Sequence, residues 1–177
     1  MFKQFVFFTQ NVRRMLGKNK FRIIFIWLSR SFLGCFFYRL ERALFLVFGR
    51  FYSVLRVLFY PLFTLVQVYT NMDIHYKATI QGGLLVLHPA VGIVISAKAT
   101  IGKNLTLVGG NIIGFGLGEK EEFRIGNNCS LGANAVIIGP LVLADNIKIG
   151  ASACVVKSCE IEGAVLVGVP AKQLNVF

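Results

Sequence analysis

The stretch IGNNCSLGANAVIIGPLVLADNIKIGASACVV, Ile125 to Val156, decides the fold. Its branched aliphatics Ile125, Leu131, Ile137, Leu143, Ile149 and Val155 return every six residues. A strand alternating in and out would also be apolar two residues on, but Asn127, Gly139, Asp145 and Lys157 stand there, and a helix or heptad fails the same test. Continuing the step adds Ile95, Ile101, Leu107 and Ile113 before this stretch and Ile161 and Val167 after it, with Glu119 the one exception among thirteen positions. Period six predicts a mainly β fold, a solenoid in which each aliphatic stacks on its counterpart in the next coil. Four residues after the aliphatics, Ala99, Cys129, Ala135, Ala153 and Cys159 recur as small or apolar side chains. Gly102, Gly126, Gly132 and Gly150, directly after them, suit corners where a side chain would collide.

The interruptions carry more than the rule. An earlier series, Ile74, Ile80 and Val86, keeps the step, but Val86 and Ile95 are nine apart, so three extra residues enter between them. His88 lies in that insertion, and Pro89 after it fixes the backbone. The second break, GFGLGEKEEFR from Gly114 to Arg124, is glycine-rich and charged and reads as a loop leaving the coil. A histidine set in a break points toward a groove rather than into the packed interior, and Asp73, about one coil earlier, is a carboxylate able to hold its tautomer and raise its basicity.

Outward from the repeat, the chain changes character near residue 70. Residues 1–70 hold most of the phenylalanines, eleven Lys or Arg and a single acid, Glu41, whereas residues 71–177 hold most of the glycines and a near balance of charge. On a helix, Arg39, Arg42 and Arg50 share one narrow sector, with Phe36, Phe37, Leu44, Phe48 and Phe51 spread around the rest. That layout suits a helix lying in an anionic membrane interface, and it predicts a protein held peripherally on the cytoplasmic face of the membrane. The alternative is a helical segment that packs in an oligomer with its arginines solvated. Within this N-terminal segment the longest uncharged run, Val57 to Met72, is 16 residues and contains Pro61, whereas a spanning helix needs about 20. Nucleic-acid binding would leave the interleaved phenylalanines exposed, and the N-terminus has no signal-peptide pattern. The four cysteines, Cys35, Cys129, Cys154 and Cys159, form no CxxC or zinc-spaced set and read as free thiols.

The segment DIHYKATIQGGLLVLHPAVGIVISAKATIGKNLTL, the coils after it and the ending GVPAK resemble the serine acetyltransferase branch of the hexapeptide acyltransferases, over about Asp73 to Lys172. The resemblance implies a left-handed parallel β-helix of three hexapeptides per coil, assembly as a homotrimer or trimer pair, and acetyl-CoA as cosubstrate with no metal. It makes His88 the general base and Asp73 the carboxylate that orients it. It places the pantetheine near Ala133 and Ala151 and the phosphates of the cofactor near Gly168 and Lys172. Two departures bear on the acceptor. Leu87 stands where the family has Asp before the histidine, and Glu121 and Glu122 stand where it carries Arg and a second His, so the groups that read an amino acid are absent or reversed in sign. His75, near Asp73, fits a turn or a place on the acceptor rim.

These readings favour an O-acetyltransferase acting on a saccharide hydroxyl of a capsule, exopolysaccharide or lipid-linked glycan precursor. Serine O-acetylation in cysteine synthesis is the alternative, and a non-catalytic scaffold is the third. A three-histidine zinc site of the solenoid carbonic anhydrase type cannot be assembled from His75 and His88 within one chain.

Overall fold

The computed structural model describes residues 2–116 and 122–174; Glu119 and Glu121 fall outside the described residues. Four helices come first: α1 (Phe2–Leu16), α2 (Arg30–Phe48), α3 (Phe51–Leu58) and α4 (Tyr60–Thr70), with short 3-10 turns at Lys20–Ile24 and Ile26–Leu28 between α1 and α2. Their ends follow local chemistry. The Ser29 hydroxyl accepts the Phe32 amide at 3.2 Å to start α2, and Asn71 adopts the left-handed conformation that closes α4.

From Met72 the chain winds as the expected parallel β-helix. One sheet stacks Met72–Ile74, Ile93–Ile95, Asn111–Phe115, Val136–Gly139 and Cys154–Val155 in sequence order. The other two sheets begin at Thr79–Ile80 and Leu85–Val86, and the last of them closes with the antiparallel strand Lys172–Gln173. Ile74, Ile95, Ile113, Ile137 and Val155 pair in register, all buried, which is the six-residue series seen end on. Each such side chain contributes about 1.5–3 kcal/mol of burial. The corner glycines are there for close approach: a Cβ on Gly132 would lie 2.6 Å from the Ala151 amide nitrogen.

A ladder of asparagines runs down one corner. Asn104, Asn128 and Asn146 all take positive φ, and their amides link at 3.0 Å (Asn104 to Asn128) and 3.1 Å (Asn128 to Asn146). Asparagine tolerates this conformation and supplies a bond along the solenoid axis.

Three expectations need correction. The series does not run on to Ile161 and Val167. Leu143 bridges Cys159 and Ile149 pairs with Leu166, so the last coil is short by one or two residues, leaving Ile161 56% exposed while Leu166 is buried. The loop at the second break starts later than Gly114, because the strand continues to Phe115 in register with Gly139. The third correction concerns the arginines. Arg39 is 3% exposed and donates to the carbonyls of Ile80 (2.6 Å) and Gln81 (2.7 Å), while Arg42 donates to the Lys77 carbonyl (3.0 Å) and the Thr79 hydroxyl (2.9 Å). Two of the three arginines of that sector therefore face the first coil, while Arg50 is exposed. Glu41, the acid of this segment, takes Arg56 at 2.7 Å and the Tyr52 hydroxyl at 2.8 Å.

The helices and coils therefore share one apolar core, to which Met15, Ile26, Cys35 and Tyr38 contribute from the helical side. Full burial pushes the Cys35 thiol up to about 12, so it stays protonated and inert. Among the described residues no single helix is long and apolar enough to cross a membrane. Much of the outer surface of the helices is nonetheless apolar, with Phe21, Phe25, Trp27, Phe51, Leu58 and Val68 exposed.

Candidate active site at the break in the repeat

The extra residues fall just after His88, in a short 3-10 turn over Pro89–Val91, so the histidine stands immediately before the insertion rather than within it, and its side chain is exposed. The backbone of His88 is held from the next coil, its amide donating to the Val108 carbonyl at 2.9 Å. Gly109 lies against it: a Cβ there would come 2.6 Å from the His88 carbonyl oxygen, and its φ of +150° is one that side chains rarely adopt. Beneath Gly109 is Asn111, fully buried, whose Oδ1 accepts the Gly109 amide at 2.9 Å and whose Nδ2 donates to the Gly132 carbonyl at 2.7 Å. Sequence reasoning missed both residues. The available signal was a polar side chain in the inward position that Ile93 fills one coil earlier.

Asp73 is exposed in the first strand. The two elements meet where the Asn71 side chain donates to the Ala90 carbonyl at 2.8 Å, which ties the end of α4 to the turn that follows His88. The carboxylate of Asp73 accepts from the Gln67 amide at 3.1 Å, and among the described residues no hydrogen bond joins it to His88. His75 is half-buried, stacked on Tyr76 at 4.5 Å, and its Nδ1 accepts the Lys77 amide at 3.1 Å. Burial, with Arg56 and Lys77 nearby, lowers its pKa, so the ring serves its own turn as a neutral acceptor.

His88 lines a cleft of about 470 Å³ between the coil and the helices, together with Arg14, Arg22, Arg30 and the apolar Met15 and Ile26. Leu87 beside it is exposed and brings no charge. Glu122 is far out on the surface, 3.4 Å from its neighbour Arg124, and Glu121 lies outside the described residues.

The positions assigned to the cofactor fall in two groups one coil apart. The Ala133 carbonyl accepts the Ser152 amide at 2.8 Å, which sets Ala151 directly alongside Ala133. Among the described residues the amides of both alanines have no partner within the chain, and these are donors that an extended amide-bearing chain could take. Gly168 accepts the Cys154 amide at 3.0 Å, and Lys172 is exposed opposite Val167. Among the described residues no cluster of His, Cys, Asp or Glu is arranged to hold a metal ion.

No family model matches the sequence. Solved structures share the fold: serine acetyltransferase from Neisseria gonorrhoeae superposes with a TM-score of 0.79 at 24% identity, covering 98% of this chain and 68% of that one. The soybean enzyme complexed with serine gives 0.80 at 23% identity over 98% of this chain and 70% of its own. The Brucella abortus enzyme in complex with coenzyme A gives 0.77 at 22%, over 97% and 68%. In sequence, the serine acetyltransferase of Mycobacterium tuberculosis is 33% identical over 111 residues, 62% of this chain and 48% of that protein. The serine acetyltransferase of Helicobacter pylori (strain ATCC 700392 / 26695) is 32% identical over 162 residues, 90% of this chain and 88% of that protein, so the likeness spans helices and coils alike. An identity of that extent, on top of the repeat, its break at His88 and the shared fold, makes this chain an acyltransferase belonging to the serine acetyltransferase family.

Proposed function

We propose that the chain is an acetyl-CoA-dependent O-acetyltransferase with L-serine as acceptor and His88 as general base. The observation that carries the chemistry is the placement of an exposed imidazole at a coil break beside a cleft, its backbone held by the Val108 carbonyl. The choice of acceptor rests on the relatives named serine acetyltransferase, of which the Helicobacter pylori protein is matched over 88% of its length. Acetyl-CoA supplies an activated thioester. His88 takes the proton of the acceptor hydroxyl as that oxygen attacks the thioester carbonyl, and returns it to the departing thiolate, so no covalent enzyme intermediate forms. Such base assistance contributes about 10²–10⁴ in rate. Asp73 is assigned to orienting the imidazole, which requires its carboxylate to leave Gln67 or to act through a water. The unpartnered amides at Ala133 and Ala151 support the pantetheine assignment, and Lys172 beside Gly168 supports the phosphate end.

A second reading keeps a saccharide as the acceptor. Leu87 favours it, since an exposed leucine beside the base offers nothing to an ammonium group. The test is CoA release from acetyl-CoA by the purified chain with L-serine, beside His88→Ala. Serine-dependent release that drops by about 10²-fold or more in the variant supports the first reading. Release with nucleotide sugars and none with serine transfers the proposal to the second, and activity untouched in His88→Ala removes the base assignment.

A further inference from the structure

The cleft beside His88 contains three arginines and no carboxylate. Arg14 is committed to the fold: it donates to the Gly83 carbonyl, to the Leu105 carbonyl at 3.2 Å and to the Thr106 hydroxyl at 2.9 Å. Arg22 and Arg30 are different. Both are exposed, and among the described residues neither side chain makes a hydrogen bond or an ion pair. The guanidinium of Arg30 lies over the face of Tyr69, 5.7 Å from the ring centroid. Glu41 and Asp73 bond elsewhere, Glu41 with Arg56 and Tyr52 and Asp73 with Gln67. Cations gathered in a concave site without counter-charge focus a positive potential there and attract an anion. Guanidiniums present paired donors that match a carboxylate or a phosphate.

We infer that Arg22 and Arg30 form an anion subsite that anchors the acidic group of the acceptor while its hydroxyl is turned toward His88. The inference rests on the proposed O-acetyl transfer at His88. The ligand class is a hydroxyl compound bearing a carboxylate or a phosphate, and L-serine qualifies through its carboxylate. This places acceptor recognition in the helical segment. It also accounts for the apolar Leu87 and the outward Glu122 beside a family site expected to read an amino acid through its own coil residues.

The experiment pairs binding with turnover in the full chain. Inorganic phosphate binding is measured by titration calorimetry, and steady-state kinetics are run with L-serine and L-serinamide. The proteins are the natural chain, Arg22→Gln/Arg30→Gln, and Arg13→Gln as an exposed basic control outside the cleft; circular dichroism checks folding. The double variant is expected to lose phosphate binding and to raise the KM for L-serine by about tenfold or more, with kcat and the KM for acetyl-CoA nearly unchanged. It should also lose the preference for serine over serinamide, whereas Arg13→Gln should behave as the natural chain. Phosphate binding that needs Arg22 and Arg30 in a chain that does not acetylate serine would keep the subsite, discard serine and direct the search to phosphorylated hydroxyl compounds. Absent phosphate binding, or binding and serine KM equal in the natural chain and the double variant, would overturn the subsite while leaving serine acetylation intact.

Discussion

Gly109 shows how much of the site depends on one missing methyl group. A Cβ at that position would press on the His88 carbonyl at 2.6 Å, and both sit on backbone shared with the neighbouring coil, so the histidine must move. Gly109→Ala is expected to lower kcat by about tenfold to a hundredfold, as small misplacements of a catalytic group do, while thermal unfolding registers about 1–3 kcal/mol. Equal kcat in the two proteins would show that His88 tolerates the shift. His88 itself was legible because a missed beat in a strict spacing is visible along the chain. Gly109, Asn111, Arg22 and Arg30 were not, since each acquires its role by meeting His88 across a coil or from a helix, and no local pattern encodes that meeting.

Among the elements, the coil is specified twice, by its aliphatics inside and by its asparagine corner outside. The first is plain in the sequence. The second is obscured because the loop before Arg124 sets Asn104 and Asn128 twenty-four residues apart while Asn128 and Asn146 are eighteen apart. The two demands on Asn128, positive φ and axial bonding, can be separated. Asn128→Gly keeps the backbone freedom and loses two side-chain bonds, which predicts a loss of about 0.5–1.5 kcal/mol. Asn128→Ala loses the bonds and also strains the corner, adding about 1–2 kcal/mol. Chemical denaturation of both variants measures the difference; equal losses would mean that the backbone conformation contributes little. The short last coil escaped the reading for a related reason. Ile161 keeps the period in the chain, but a one- or two-residue deletion only shows when the strand it pairs with is known.

For the molecule as a whole, the compositional change near residue 70 marks a change of secondary structure and not an independence of parts. Helical periodicity told which arginines share a face, and it could not tell what lies opposite that face. What lies there is the open edge of the first coil. Tyr38 donates to the Ala78 carbonyl at 2.9 Å and accepts the Ile80 amide at 3.2 Å, Asn11 accepts the amides of Gly83 and Leu84 at 2.8 and 2.9 Å, and Ser31 donates to the Val86 carbonyl at 2.8 Å. With Arg39 and Arg42, the helices satisfy backbone groups that another coil would otherwise pair. A chain beginning at Asn71 is therefore expected to associate edge to edge, with light scattering and thioflavin fluorescence rising where the full chain stays clear. A truncated chain that remains dispersed and folded would contradict this role.

Seen this way, the helical segment is a chain stopper. A parallel solenoid has no internal reason to end, since each completed turn is the template for another. Here growth is halted at one end by helices whose side chains imitate a strand partner, and at the other by Lys172–Gln173 running back against its neighbour. The two caps thus close the stack without fixing how many turns lie between them, so the interior is free to vary in length without either end being redesigned.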